Sequence, residues 1–251
     1  MKTRLDQRLT ELNLVKTRSQ AESYIKLGQV EVNGKVVTKA GQVVSADAKI
    51  KVTAEQQYVS RAALKLASVA EAMKLDFKGK VVLDVGSSTG GFTDYALRHG
   101  AKKVLAVEVG TNQLHPSLHG NKKIELHEKT DIRDFRTDQK IDIVVADVSF
   151  ISLREILPSV AKLSTNQTQI AVMVKPQFEA GQGSANGRSA LKHKGVIKND
   201  KMRRDILKDF EQWAKQYFTV RDKADSAVSG AKGNQERFYL LRKKRLSYEK
   251  V

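Results

Sequence analysis

The stretch VVLDVGSSTGGFTDYALRHG, residues 81–100, decides the fold. VVLDVG reads as a short apolar strand ending in Gly, and FTDYALRHG as a helix closed by Gly100. A Gly-rich turn between a parallel strand and a helix sets a ligand against backbone N–H groups at the C-terminal edge of a sheet. Several ligand classes use such turns. A dinucleotide fold needs G-x-G-x-x-G, but Ser88 occupies the third position and crowds a pyrophosphate. A P-loop needs G-x-x-x-x-G-K-[ST]. Gly86 to Thr93 has that spacing, yet Phe92 stands where the phosphate-binding Lys must be. What remains is acidic-x-Gly-x-x-x-Gly, which Asp84 to Gly90 fits.

Outward from this loop the chain alternates strand and helix. KVLAVEVG (103–110), IDIVVADVSF (141–150) and QIAVMVKPQF (169–178) read as buried strands, and REILPSVAKL (154–163) as a helix. Near-continuously apolar strands separated by helices predict a mostly parallel, Rossmann-like sheet covered on both faces. Residues 218–244 look like two strands joined by a loop, an antiparallel edge pair. A basic loop is expected from about Gly183 to Arg204, with Arg188, Lys194, Arg203 and Arg204 in it. Upstream, YVSRAALKLASVAEAMKL (58–75) predicts a helix with Ala62, Leu66, Val69 and Met73 as its buried stripe. Arg61 and Lys65, at i,i+4, share another face. Trp213, within KDFEQWAKQYF (208–218), reads as core on an amphipathic helix.

The first 53 residues read as a separate α+β unit. Leu5, Leu9, Leu12 and Leu14 fall roughly on one helical face; Thr17 or Ser19 can cap a second helix that Gly28 ends. VEVNGKVV (30–37) is a hairpin around Asn33-Gly34, a pair suited to a type I′ turn. This unit holds ten Lys/Arg against five Asp/Glu, with Arg4, Arg8, Lys16, Arg18 and Lys26 on its helical part.

The whole chain of 251 residues carries a formal net charge of +17, which concentrates polyanions at its surface. Nucleic acid and anionic membrane are the two candidate partners. Apolar runs of about five residues, such as Ile170 to Val174, fall far short of the roughly 20 that a spanning helix needs. The N-terminus lacks the apolar core of a signal peptide. With no Cys, disulfides and thiolate metal sites are excluded. His115 and His119 are i,i+4, but Pro116 interrupts them and no H-E-x-x-H pattern exists, so no metal is expected. The expectation is a cytoplasmic protein that meets nucleic acid.

Acidic-x-Gly-x-x-x-Gly is the loop of methyltransferases that use S-adenosylmethionine, a sulfonium amino acid joined to adenosine. Such a molecule needs carboxylates for its ammonium and ribose, not a phosphate cradle. The expected cofactor residues are Asp84, Gly86, Ser87, Ser88, Gly90, Gly91, Phe92 and Thr93 of the loop, with Glu108 and Val109 at the end of the second strand. Glu108 can accept both ribose hydroxyls; read alone, it is a solvent-facing strand end. Asp131 and Ile132, in KTDIRDF (129–135), fall where the third strand's loop meets adenine.

Two resemblances sharpen this. RLDQRLTELNLVKTRSQAESYIKLGQVEVNGKVV (4–37) resembles the RNA-binding domain first seen in ribosomal protein S-four. YVSRAALKL, LDVGSSTGGFTD, VEVGTNQLH, KTDIRDF, DVSFISL, VKPQFEAG, KGVIKN and KGNQERFYLL, in this order, resemble the hemolysin A (TlyA) family, which joins such a domain to an FtsJ-like class I methyltransferase domain. The resemblance implies domains at 1–53 and 81–246, with 54–80 as connector and lead-in helix. It implies 2′-O-methylation of ribose, at cytidine, in ribosomal RNA or ribosomal subunits. Carried over by motif, the Lys-Asp-Lys-Glu catalytic group is Lys65, Asp147, Lys175 and Glu236. Lys175 then takes the hydroxyl proton, while Asp147 and Glu236 orient the lysines and hydroxyl. Arg237 follows Glu236 where a more apolar residue is expected, and Pro116 stands where the family more often has an aromatic. RNA contacts are expected from Arg4, Arg8, Lys16, Arg18, Lys26, Arg61, Arg188 and Lys194. Competing readings are a non-catalytic ribosome-assembly factor, which retention of the four groups argues against, and a membrane-lytic protein, which the missing apolar segments argue against.

Overall fold

The computed structural model describes residues 2–15, 17–54, 58–180, 195–230 and 233–244. The N-terminal unit contains β1 (Lys2–Arg4), α1 (Leu5–Glu11), α2 (Arg18–Lys26), β2 (Val30–Val32), β3 (Lys35–Val36), β4 (Val43–Ser45) and β5 (Ile50–Val52). Thr17 caps α2 by accepting the Gln20 N–H at 3.2 Å. The β2–β3 turn uses positive φ at Asn33 (51°) and Gly34 (77°), as two-residue hairpins of this twist require. Beneath the helices sits Asp6, fully buried, with Arg4 donating to both its oxygens and Arg18 to one. Burial would raise its carboxyl, but the hydrogen bonds from Arg4 and Arg18 outweigh that and hold it at about 2.

Next comes α3 (Arg61–Ala70), which serves two cores. Leu64 belongs to the small unit's core with Leu5, Leu9, Tyr24 and Ile25, joined there by Val228 from the far end of the chain. Ala63, Leu66 and Val69 instead pack on the large sheet.

That sheet is built from β6 (Val81–Val85), β7 (Lys103–Val107), β8 (Ile124–His127), β9 (Ile143–Ala146), β10 (Gln169–Val174), β11 (Phe218–Asp225) and β12 (Arg237–Lys243), interleaved with α4 (Gly91–Arg98), α5 (Leu153–Leu163), α6 (Pro176–Glu179) and α7 (Asp200–Tyr217). Strand order is β11-β12-β10-β9-β6-β7-β8. Pairs among β6 to β10 are parallel, and β12 joins β10 and β11 antiparallel. Side-chain alternation splits the core in two. Leu83, Val85, Val172 and Val174 face α5 and α7, whereas Val82, Ala171 and Met173 face α3 and α4. Trp213 lies half-buried against the first of these, with the Arg154 guanidinium 5.6 Å from its ring centroid.

Three expectations are corrected. Leu12 is not part of the apolar face: α1 stops at Glu11 because Asn13 turns left-handed (φ 54°), leaving Leu12 40% exposed. The helix predicted over 58–75 is shorter, Arg61–Ala70, with Lys74 left-handed after it, although Met73 remains buried. Arg203 and Arg204 are not in a loop, since Asn199 caps α7 by accepting the Met202 N–H at 3.0 Å and the helix starts at Asp200.

Candidate active site

In the sheet, β6 is followed by β7 and β8 on one side and by β9 and β10 on the other. A crevice therefore opens at the C-terminal ends of β6 and β9, where a doubly wound sheet places its ligand. Here the loop after β6 and Asp147 after β9 meet. A cavity of about 400 Å³ is lined by Gly86, Ser88, Glu108, Val109, Asp131 and Ile132 among the expected residues. A smaller one of about 130 Å³ adjoins it, lined by Asp84, Gly86, Ser87, Ser88, Gly91 and Phe92. Gly86, Ser88, Asp147 and Ser149 border both.

Gly90 and Thr93 line neither cavity; they build the loop. Thr93, fully buried, donates to Asp84 Oδ2 at 2.7 Å. Gly90 has φ 83°, and a Cβ there would lie 2.5 Å from Leu118 and 2.7 Å from Leu114. Leu118 ends the 3-10 turn Pro116–Leu118 and Leu114 precedes it, so this segment packs its leucines over Gly90. At Gly91 a Cβ would meet Ser60 Oγ at 2.3 Å and Ala62 Cβ at 2.8 Å, so the absence of a side chain lets α3 approach. Phe92 packs into the core against Phe238 as well as lining the smaller cavity.

Asp84 is buried, and its Oδ1 has no hydrogen-bond partner among the described residues; the same holds for Ser87 Oγ. Burial pushes the Asp84 carboxyl up to about 7, the Thr93 hydrogen bond only partly opposing it. Glu108 accepts from Ser88 N at 2.9 Å and Gly110 N at 2.8 Å, which fixes its carboxylate at the rim. Each of these oxygens keeps accepting capacity for a further donor. Asp131 is fixed by Arg133, whose guanidinium and backbone N–H hold its carboxyl below the usual range.

The four expected catalytic residues form two ion pairs at this edge. Lys175 Nζ lies 2.6 Å from Asp147 Oδ1. Lys65 Nζ lies 2.6 Å from Glu236 Oε2, with side-chain exposures of 10% and 3%. Lys65, expected on a face away from the core stripe, is buried because β12 brings Glu236 over it. The following Arg237 turns away and pairs with Asp225 at 2.7 Å, so a charged residue fits beside Glu236.

Among the basic residues, Arg4 and Arg18 are committed to Asp6, and Arg8 to Glu11 and the Ala46 carbonyl. Lys26 and Arg61 line a cavity of about 280 Å³ between α2, α3, residues 228–230 and Gly233. Lys16, Arg188 and Lys194 lie outside the described residues. His115 accepts the Ser117 N–H at 3.2 Å, a capping role, and no cluster able to hold a metal occurs among the described residues. Sequence reasoning missed Gln113, Ser149 and Phe150, which also line the large cavity. Gln113 lay in GTNQLH and accepts from Ser88 Oγ at 3.1 Å; Ser149 and Phe150 lay in DVSF, quoted only for its aspartate.

The FtsJ-like methyltransferase family matches residues 58–244, and the S4 domain family matches residues 3–50. The chain is 43% identical over 183 residues to the 23S rRNA (cytidine-2′-O)-methyltransferase TlyA of Campylobacter jejuni, covering 72% of this chain and 70% of that one. It is 34% identical over 248 residues to the 16S/23S rRNA (cytidine-2′-O)-methyltransferase TlyA of Mycobacterium tuberculosis, covering 96% of this chain and 90% of that one. A solved structure from Streptococcus thermophilus, named as a hemolysin, aligns with a TM-score of 0.67 at 33% identity over 97% of this chain and 89% of that chain.

Proposed function

Because the chain belongs to the TlyA family, an FtsJ-like methyltransferase joined to an S4 domain, we propose that it methylates the 2′-hydroxyl of a ribose, that of a cytidine, in ribosomal RNA, using S-adenosylmethionine. The observation that carries this reading is the pair of lysine–carboxylate contacts at the strand ends, Lys175–Asp147 on the wall of the smaller cavity and Lys65–Glu236 buried where β12 begins beside the end of β10. The residues fit the cofactor: unpartnered Asp84 Oδ1 and Ser87 Oγ wait beneath the smaller cavity, and Glu108 stands at the rim of the larger one. Asp84 and Ser87 would hold the amino-acid end, Glu108 the ribose hydroxyls, and Asp131 with Ile132 the adenine.

When bound, the sulfonium supplies an electrophilic methyl group, so the O–CH₃ bond forms as the S–CH₃ bond breaks and its electron pair stays on sulfur. A ribose hydroxyl is a weak nucleophile. Lys175 takes its proton on Nζ as the oxygen attacks, and Asp147 stabilises the ammonium so formed. The buried Lys65–Glu236 pair sets a fixed field beside Lys175 and keeps the oxygen in line. Incorporation of a labelled methyl group into ribosomal RNA, with the modified position mapped in cells with and without this protein, tests the reading; label recovered on a base would overturn it.

Cofactor affinity follows from Asp84. Below about 7 its carboxyl holds a proton, so the cofactor's ammonium meets a neutral group. As pH rises through that value the carboxylate forms and binding tightens. Folding runs the other way: burying a carboxyl whose folded value is raised costs stability once pH exceeds its ordinary value near 3.8, up to about 7. Calorimetry should find affinity climbing across neutral pH in the wild type and flat in Asp84→Asn. The same slope in both would remove Asp84 from the site.

We place the small unit at 1–53, the connector and lead-in helix at 54–80 and the methyltransferase domain at 81–246, and assign RNA binding to the small unit together with the cleft beside α3. Deleting the small unit is a poor test, because Leu64 and Val228 would lose their core. Replacing Lys26 and Arg61 together by Ala should lower ribosomal RNA affinity and reduce the salt slope by about two. An unchanged slope would show that this cleft faces no phosphate. We propose the cytoplasm, where a ribosomal RNA substrate would be met, as its location; no helix among the described residues is long and apolar enough to cross a membrane.

A further inference from the structure

Lys175 is held by more than its carboxylate. Its Nζ donates to Ser149 Oγ at 2.7 Å with hydrogen-bond geometry. Asp147 Oδ1, at 2.6 Å, makes a close ion-pair contact without an aligned hydrogen bond. An amine nitrogen has three directions not taken by its own carbon. Asp147 lies along one side and Ser149 takes another, which leaves the third for a substrate hydroxyl. In the neutral amine an N–H bond points at Ser149 Oγ, Asp147 crowds a second side, and the lone pair has the third direction. Resting on the ribose-methylation reading, we propose that Ser149 is a positioning residue that aims the Lys175 lone pair at the 2′-hydroxyl.

The loop carrying Ser149 is built to hold it. Phe150, next in the chain, has φ 66°, a left-handed conformation that costs a bulky residue and persists only where its surroundings impose it. Those surroundings centre on Glu179, which is buried and accepts from Ser152 Oγ at 2.6 Å and Leu153 N at 2.7 Å. Ser152 in turn caps α5 by accepting the Arg154 N–H at 3.1 Å. Glu179 and Lys175 sit at the two ends of α6. One carboxylate therefore ties the loop bearing the hydroxyl to the segment bearing the amine. Ser149 itself is exposed and borders both cavities, so an incoming ribose can reach the amine beside it.

The test compares Ser149→Ala and Ser149→Thr in the full chain. Ser149→Ala should lower kcat about tenfold, the scale of one orienting hydrogen bond. KM for RNA and affinity for S-adenosylmethionine should stay at wild-type values. Ser149→Thr keeps the hydroxyl and should restore most of the rate. A readout free of cofactor and RNA is the rate of Lys175 acylation by acetic anhydride at a single pH, followed by peptide mass spectrometry, which should rise in Ser149→Ala because the amine has lost its hydrogen-bond partner. An unchanged kcat and acylation rate would overturn the proposal. So would a raised KM for RNA at constant kcat, which would make Ser149 an RNA contact. If the wild type methylates no ribose, the broader reading fails, and the acylation rate still decides whether Ser149 governs the amine.

Discussion

A Lys175→Ala enzyme loses about 10²- to 10⁴-fold in kcat, the usual contribution of a positioned general base, while S-adenosylmethionine affinity stays near wild type. The reason is where the side chain acts. Nζ lies against Asp147 and Ser149, and Lys175 does not line the larger cavity assigned above to the cofactor's ribose and adenine. Lys175→Arg should stay equally inactive, since guanidinium keeps its proton and cannot accept another. An active Lys175→Arg enzyme would show that positive charge alone is needed there, and would move the proton acceptor elsewhere.

Glu236→Ala is expected to cost about 3–5 kcal/mol of folding stability as well as activity, because it strands a buried ammonium. Lys65 and Glu236 sit 2.6 Å apart, almost out of solvent. The carboxylate is also wedged against Gly230, where a Cβ would lie 2.8 Å from Oε1, so the site cannot close around the missing group without moving Gly230. Replacing both partners with apolar residues, Lys65→Met with Glu236→Leu, should recover most of that stability and none of the methyl transfer. Denaturant unfolding and a methyl-transfer assay on the three proteins separate the two roles. A Glu236→Ala protein as stable as wild type would show that the pair is open to water in solution.

What the sequence made legible was position along the sheet edge. Asp84-x-Gly86-x-x-x-Gly90, Glu108 and Asp147 each end an apolar run, and a parallel sheet collects such endings on one side. Motif resemblance added Lys65 and Glu236, which lie far apart in sequence and meet only because β12 runs antiparallel beside β10. Side-chain partners were not legible. Gly90 and Gly91 also make room for Leu114, Leu118 and α3, although Gly91 lines the smaller cavity as well. Thr93 donates to Asp84, a partner that its place in the loop does not announce. Arg4 and Arg18 read as free cations, and nothing in local spacing announces that a buried Asp6 gathers them both. Ser149 escaped notice for the same reason: a serine two residues past an aspartate has no pattern until the lysine opposite is placed.

The double duty of α3 has a consequence for how a substrate is chosen. Leu64 is rooted in the small unit and Lys65, its neighbour, in the chemistry. Consecutive helical residues diverge by about 100° with a rise of about 1.5 Å, so grip and reaction are joined by a stub too short to bend. Such a stub is a caliper. On the proposed RNA-binding reading, it holds the small unit's grip and the acceptor ribose a fixed span apart. One alanine inserted between Leu64 and Lys65 would open the caliper by about 100°, leaving two folded halves that hold the same RNA and never bring its hydroxyl to the amine.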